Sequence, residues 1–407
     1  MSEIIQPSSA AEVADALRRA SEARQSIVIR GADTKRGWGR PGSRVDAVLD
    51  MRRMNRILAH EHGDLTATIE AGASLREVNQ ALAAHGQTLP LDPPFADRAT
   101  IGGLLATNDS GPLRHRYGTP RDLVIGIQLA TTNGVLAKAG GQVVKNVAGY
   151  DLSKLVTGSF GSLAAIVSAT FKLSPLPAAS KTMLVAVRDA AALAAVVRTM
   201  MASQLEPIAF EIRTGTPRPP STQSQDFSAS SADSVFMVLL RFASLPAVVD
   251  AQVAQAQAAL NGFARSIDVR DGDAERALWQ AHATAIWERP GAIVRASWLP
   301  ANIAAALAAL KGCATPVAQG LGPALIGRAA IGAGLIHIDG DTGAQADAVE
   351  RLRASPTFSN VVIVSGSPEL KARVDVWGSH GDRQPLFDAL KRAFDPHGVL
   401  NAGRGPL

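Results

Sequence analysis

Hydrophobic and polar positions along residues 1–175 switch repeatedly between a helical and an extended period. Ser9 and Glu12 form a capping box, and Val13, Ala16, Leu17 and Ala20 follow at helical spacing. A short apolar run, Ile27 to Ile29, predicts a strand that enters the loop RGADTKRGWG. Thr66 to Glu70 alternates as a strand does. Ser74 and Glu77 make a second capping box, with Leu75, Val78 and Leu82 on one helix face and Gly86 as the stop. From Thr100 the pattern is loop-dense, with predicted strands over Leu123 to Ala130 and Ala165 to Leu173, and the SPLP segment at 174–177 marks a boundary.

The second half has a different rhythm. Val185 to Met201 reads as an apolar helix and Val235 to Leu240 as a buried strand. Residues 214–234 are polar, rich in Ser and Pro and aperiodic, which predicts a flexible surface insertion. Helices are expected around Ala247–Leu260, Glu275–Trp287 and Ala301–Leu310, and strands near Ile293–Trp298, Leu335–Ile338 and Val361–Val364. The expected fold class is α+β.

Composition narrows the chemistry. The chain has 407 residues, 46% hydrophobic and 19% charged, which excludes a wholly disordered protein and fits two or three domains at about 150 residues each. No apolar run is long enough to span a bilayer, and the N-terminus lacks the basic and apolar regions of a signal peptide, so a cytoplasmic protein is expected. The single cysteine, Cys313, excludes an internal disulfide, a Cys-rich zinc site and an iron–sulfur cluster held by this chain alone. Basic residues are scattered and aromatics are 4%, which argues against a nucleic-acid partner. Residues 95–175 nevertheless carry eight Lys/Arg against four Asp/Glu, a balance suited to a phosphate-bearing cofactor.

A glycine-flanked loop at a strand end, GADTKRG (31–37), exposes successive backbone N–H groups that can cradle a pyrophosphate. Lys35 and Arg36 would add long-range attraction, although the loop by itself also reads as an ordinary surface turn. Neither a Walker A loop nor a G-x-G-x-x-G fingerprint occurs. Other motifs carry less. HEH at 60–62 has i, i+2 spacing rather than that of a helical zinc site and reads as a solvated loop, and His85 lies beside a helix C-terminus, where a cation is favourable for structural reasons. No metal site is expected.

In order along the chain stand TIGGLLATNDSG (100–111), RYGTPRD (116–122), KNVAGYDLSKLVTGSFGSL (145–163), VDVWG (374–378) and FDPHGVLNAGRG (394–405). Together these resemble the vanillyl-alcohol-oxidase/PCMH flavoprotein superfamily, and within it the FAD-binding subunits of bacterial glycolate oxidases (glycolate dehydrogenases). The resemblance implies a PCMH-type FAD-binding domain of two subdomains, residues 1–175. It implies also an α+β cap domain with an antiparallel sheet, residues 176–407, whose C-terminal tail returns to FAD. Carried over by position, Gly31, Ala32, Asp33, Thr34, Lys35, Arg36 and Gly37 would form the pyrophosphate loop. Thr100, Gly102, Gly103, Asn108, Asp109, Ser110 and Gly111 would border the phosphates and the isoalloxazine edge, and Gly158, Ser159, Gly161 and Ile166 the other side, with Asn401 on the returning tail. Tyr117 is either a core tyrosine or a flavin neighbour, Lys145 either faces the cofactor or solvent, and Asp151 reads as a helix N-cap.

Two departures from the family pattern matter. The first glycine loop holds no His, so FAD should be bound non-covalently. Where 2-hydroxy-acid relatives carry H-x-G-D-G-N-x-H, the chain reads AIGAGLIH (330–337), with Ala330, Ala333 and Leu335 in place of the first His, the Asp and the Asn. Only His337 remains, and it is the one nameable catalytic base, although a lone His on an apolar strand also reads as a core residue. Arg295 and Arg328 are alternative clamps for a substrate carboxylate. The resemblance implies partners: a homologous FAD or catalytic subunit, an iron–sulfur subunit, and a small 2-hydroxy acid as substrate, with any membrane association made through those partners. Either this chain oxidises the substrate itself, or it is a structural or electron-relay subunit and oxidation takes place on the homologous chain.

Overall fold

The computed structural model describes residues 2–42, 45–141, 150–215, 235–313 and 325–407. It divides into two compact units, residues 1–176 with 379–407, and residues 177–378.

Unit one begins with a small parallel sheet of β1 (Glu3–Ile5), β2 (Ile27–Arg30) and β3 (Ala47–Asp50), in the order β1-β3-β2. Helix α1 (Ala10–Glu22) starts at Ser9, whose hydroxyl accepts from the Glu12 amide. The Glu12 carboxylate reaches one residue further back than a standard capping box, accepting from the Ser8 amide at 2.7 Å. Five antiparallel strands follow. β4 (Ile57–Glu61) and β5 (Thr66–Glu70) form a hairpin, after which α2 (Leu75–Ala83), capped by Ser74, leads to β6 (Gln87–Thr88). Next come α3 (Ile101–Thr107), α4 (Arg114–Tyr117), α5 (Pro120–Leu123), β7 (Val124–Ala130), β8 (Leu136–Gly140), α6 (Leu152–Val156) and β9 (Ala165–Lys172). The sheet runs β4-β5-β9-β7-β8, and β10 (Ser174–Pro175) pairs with β6.

Strand β9 is central and buried on both faces, which is why its sequence is apolar nearly throughout. One face packs on Leu75, Val78, Leu82, Leu104 and Leu105 of α2 and α3. The other contributes Ala165 and Val167 to a core shared with Val13 and Leu17 of α1, Ile27 and Leu49.

Unit two is an eight-stranded sheet in which every pairing is antiparallel. Its elements are β11 (Ala179–Val187), α7 (Ala190–Ala202), β12 (Ala209–Gly215), β13 (Val235–Ser244), α8 (Pro246–Leu260), β14 (Ala264–Asp271) and α9 (Gly272–Thr284). They continue with β15 (Ala292–Ser297), α10 (Ile303–Cys313), β16 (Leu325–Arg328), β17 (Ala333–Ile338), α11 (Thr342–Ala354), β18 (Ser359–Ser365) and α12 (Pro368–Arg373). One face of the sheet is apolar, with Val185, Phe210, Val238, Val294 and Ile336 packed against Val196 of α7, Val253 of α8, Leu307 of α10 and Val349 of α11.

Four expectations need correction. Val185–Val187 ends a strand, and the helix starts only at Ala190, capped by Asp189. IGGLLAT (101–107) is a helix, not loop, because Thr100 caps it and tertiary packing accommodates its glycines. Thr214 and Gly215 end β12, while the rest of the expected insertion, 216–234, lies outside the described residues, as does Lys145. His60 and Glu61 belong to strand β4 rather than to a loop. Among the described residues, no helix is long and apolar enough to cross a membrane.

The chain re-enters unit one through α13 (Gln384–Phe394). The buried Asp395 carboxylate then accepts from the Val399 amide (3.0 Å), the Leu400 amide (2.8 Å) and Lys391 Nζ (2.6 Å). Leu400 bridges Ile27 in parallel, so the tail extends the small sheet beyond β2. Removing a buried, charge-assisted acceptor leaves its donors unsatisfied. Asp395→Ala should therefore cost about 3 kcal/mol in urea unfolding without a change in m-value.

Candidate functional site

Strand β2 ends against the glycine loop, and the two form one wall of a cleft within unit one. Its empty space, open mouth included, is roughly 780 Å³. Ile29 to Arg36 supply one side, Thr100, Gly102, Gly103, Ala106 and Thr107 of the α3 segment the second, Phe160, Gly161, Ala164 and Ile166 the third, and Asn401 and Arg404 of the returning tail the fourth. Met51 and Ala71 complete the lining.

Close backbone approach dictates the glycines. A Cβ at position 31 would lie 2.2 Å from Thr100 Oγ1, and one at 102 would lie 2.8 Å from the Ala71 Cβ. Gly161 has φ +68°, and a Cβ there would meet Asn401 Nδ2 at 2.6 Å. Of the eight non-glycine residues with positive φ among those described, Asp33 (57°), Phe160 (57°) and Asn401 (42°) line the cleft. Such conformations persist where surroundings over-determine them, and they concentrate at functional sites.

The tail supplies that over-determination. Asn401 Oδ1 accepts from the Ile29 amide at 3.0 Å and Nδ2 donates to the Phe160 carbonyl at 2.5 Å, so one side chain ties two walls together. Arg404 Nη2 donates to the Lys35 and Arg36 carbonyls, both at 2.7 Å, and Nε to the Trp38 carbonyl at 3.2 Å. With those carbonyls held by the tail, the planar peptide units turn their opposite edges away from it. The third wall is fixed by the Gly158 amide on the Leu105 carbonyl (2.9 Å) and the Phe160 amide on the Ala106 carbonyl (2.8 Å).

The electrostatics differ from the expectation. Lys35 is buried and pairs with the equally buried Asp109 at 3.2 Å, so it does not provide a free positive charge; Arg36 is exposed. Beneath the cleft, the Asp50 carboxylate is wholly buried, which by itself pushes its pKa up. Hydrogen bonds from Arg52 and Arg30 outweigh that burial and hold it well below the usual range.

Twelve of the twenty cofactor positions expected from the sequence line this cleft: Gly31, Ala32, Asp33, Thr34, Lys35, Arg36, Thr100, Gly102, Gly103, Gly161, Ile166 and Asn401. The others stand around it. Asn108 is the left-handed C-cap of α3 and accepts from the Arg121 amide, and Gly111 presses on Asp92, where a Cβ would lie 1.8 Å from the backbone oxygen. Asp109 anchors Lys35, Ser110 adjoins it, Gly158 and Ser159 shape the third wall, Gly37 follows the loop, and Tyr117 ends α4 outside the lining. The site residues named from the sequence leave out Ile29, Arg30, Met51, Ala71, Ala106, Thr107, Phe160, Ala164 and Arg404; of these Arg30, Ala106, Thr107, Phe160 and Arg404 stand inside the quoted motifs, which is the signal that could have found them. Asp151 caps α6, accepting from the Lys154 amide, and lies at about 2 in pKa: burial raises it, and hydrogen bonds from Ser153 and Lys154 overcome that.

The second face of the sheet in unit two carries the expected substrate residues. Strand alternation and register put Glu211, Arg241, Arg295, Arg328 and His337 on the side away from the apolar core. Arg328 Nε lies 3.6 Å from Glu211 Oε1, Glu211 Oε2 lies 3.3 Å from His282 Nε2, and Arg241 Nε donates to Glu275 at 3.0 Å. His337 is 0% exposed, with Nδ1 3.3 Å from Asp339 Oδ1, and Gly291 packs so closely that a Cβ would lie 2.9 Å from Nε2. Burial pushes its pKa down, more than the attraction of Asp339 raises it.

Comparison with known proteins gives this arrangement a class. Residues 1–140 match the FAD binding domain family, and residues 176–310 match the FAD linked oxidases C-terminal domain family. The chain is therefore similar to the FAD-linked oxidases in two separate stretches. Its fold is that of p-cresol methylhydroxylase, seen in a substrate-bound crystal structure, with a TM-score of 0.75 over 98% of this chain and 88% of that one at 16% identity. Glycolate oxidase subunit GlcD of Bacillus subtilis is 35% identical over 51% of this chain and 44% of its own length. Glycolate oxidase subunit GlcE of Escherichia coli is 39% identical over 38% of this chain and 44% of its own length. The matches thus span less than half the length of these two relatives.

The cleft's donor set fits FAD: close-packed backbone at the glycine loop suits a pyrophosphate, and Met51, Ala71, Phe160, Ala164 and Ile166 offer apolar surface to a flat ring system. Gly31→Ala should weaken FAD binding roughly tenfold or more, ~1.4 kcal/mol, in an equilibrium titration. Gly37→Ala, with nothing within 4 Å of the added carbon, should bind as wild type does. For His337, the unfolded ring gains its proton near pH ~6.5 while the folded ring resists it. The stability it contributes is full above that value and is lost as the pH falls toward the folded pKa. Denaturant unfolding at about pH 5.5 should show lower stability than at about pH 7.5, and His337→Gln should reduce that difference.

Proposed function

We propose that this chain is the FAD-binding subunit of a multi-subunit glycolate (2-hydroxy acid) dehydrogenase. The observation that carries the reading is the glycine-built cleft closed by Asn401 and Arg404. In this reading residues 1–175 bind FAD, residues 176–407 form the cap, and the tail returns to the cofactor. The backbone of Gly31–Gly37 takes the pyrophosphate, Thr100–Gly103 and Gly158–Gly161 border the ring system, and Asn401 fixes the strand end against it. Binding is non-covalent, because the pyrophosphate loop offers no His or Cys. When bound, FAD would supply the electron acceptor for oxidation of a carbinol.

The relatives named as glycolate oxidase subunits support an assembly. The single cysteine supports an iron–sulfur centre on a separate subunit, because four thiolates are normally required. A protein that joins the membrane only through such partners would work on the cytoplasmic side.

A second reading is favoured by one observation. A general base must reach the proton it abstracts, and the wholly buried His337 presents no atom to substrate. With Ala330, Ala333 and Leu335 replacing the family's ligands, the chain would then be a structural or relay subunit, with oxidation on the homologous chain. Anaerobic addition of glycolate, and separately D-lactate, to the purified yellow chain separates the two. Bleaching of the flavin band supports oxidation here. A band that bleaches only when the homologous subunit is added supports the relay reading. A colourless chain that takes up no FAD overturns both.

A further inference from the structure

We propose that His60, His62 and His85 form a binding site for a divalent transition-metal ion of the zinc class. None of the three lines the cleft. His60 is on β4, at the edge of the five-stranded sheet, and His62 opens the turn that follows that strand. His85 arrives from the C-terminal end of α2, in the turn that Gly86 closes with φ +66°. The His60 and His62 ring centroids are 4.1 Å apart, those of His62 and His85 are 3.8 Å apart and stacked, and one nitrogen from each of the three rings lies within 4.8 Å of the other two.

The second observation is the support beneath the cluster. Gln87, buried on β6, donates from Nε2 to the His62 carbonyl at 2.9 Å, and a carbonyl can only accept. The amide is thereby fixed, and its oxygen faces His60 Nε2 at 2.8 Å. His60 Nε2 must carry the proton of that bond, which leaves the lone pair of the neutral ring on Nδ1. A ligating histidine characteristically has its other nitrogen held in this way, which fixes tautomer and ring orientation. Zn–N distances of about 2.0–2.1 Å place tetrahedral ligand atoms ~3.4 Å apart, so the rings must draw together by roughly an ångström. His62 and His85 are exposed and free to turn. Three imidazoles suit Zn²⁺, Cu²⁺ or Ni²⁺ and leave a coordination position for water. The ion would staple the end of the edge strand to α2 and β6.

The test uses the full chain with FAD bound, dialysed against a chelator and titrated with Zn²⁺ by calorimetry and with Cu²⁺ by electron paramagnetic resonance. Wild type should take one tight equivalent, with nitrogen hyperfine structure on copper and a thermal midpoint that rises with zinc. His62→Ala and His85→Ala should each weaken binding at least tenfold, and Gln87→Leu roughly 10–100-fold while all three imidazoles remain. Failure of wild type to bind zinc overturns the proposal. So does unchanged stoichiometry and affinity in the His62→Ala/His85→Ala double variant. Flavin absorbance in the same samples separates this result from the cofactor reading: zinc lost with FAD retained overturns the metal site alone.

Discussion

The cleft of unit one exists because the tail from Asp395 onward is bonded to β2 and the glycine loop. Asn401 takes the Ile29 amide and gives its own amide protons to Phe160, while Arg404 collects the carbonyls of the glycine loop, and Asp395 fixes the turn that presents both. The bonds of Asn401 to Ile29 and of Arg404 to the loop join residues more than 360 positions apart in sequence, and that of Asn401 to Phe160 spans 241. Loop-closure cost grows only logarithmically with length, so so long a return costs little more than a medium one. What the return does require is polar matching, because most of its partners are buried or partly buried backbone groups. A cleft whose fourth wall is the tail can form only when the rest of unit one is already in place.

That dependence changes how charge works in the site. A free lysine in the glycine loop would attract phosphate over distance, but Lys35 is committed to Asp109. Burying two charges costs several kcal/mol in desolvation, roughly what their attraction returns, so the pair is weak evidence for stability. Its consequence is geometric: it ties the loop to the segment after α3, as Arg30 on Asp50 ties β2 to β3. In the proposed reading, attraction for a pyrophosphate would rest on oriented backbone dipoles and on the exposed Arg36, and a preorganised amide cradle works without a neighbouring cation.

What could be read from the sequence follows from how local each cause is. The caps at Ser9, Ser74 and Asp151 were legible because donor and acceptor lie within four residues. The glycine loop and the order of the motifs were legible for the same reason. Helix α3 was not: Gly102 and Gly103 lower its intrinsic propensity, and the reason for Gly102 is Ala71, thirty-one residues away. Residues 185–187 read as helix from the sequence because a buried strand and a buried helix are both continuously apolar, and only the flanking strands of the sheet decide between them. Arg404 was passed over although its motif was in view, because nothing local says what an arginine near a terminus will hold. The HEH triplet has no helical zinc spacing, and only the fold brings His85, twenty-three residues on, beside His62.

The two units differ in how closely their chemistry-bearing positions are constrained. In unit one the glycines at 31, 102, 111 and 161 cannot carry a side chain without collision, so the geometry itself demands them. In unit two the polar face of the sheet is occupied by internal partners: Arg328 with Glu211, Glu211 with His282, Arg241 with Glu275, and His337 with Asp339. An incoming carboxylate would have to displace a buried partner to engage Arg241 or Arg328, because Glu275 and Glu211 are both buried. Ala330, Ala333 and Leu335 continue that trend by removing donors from the same strand region. The tighter constraint therefore lies in unit one, where collisions fix the glycines and the returning tail fixes the loop, while in unit two the buried carboxylates hold Arg241 and Arg328.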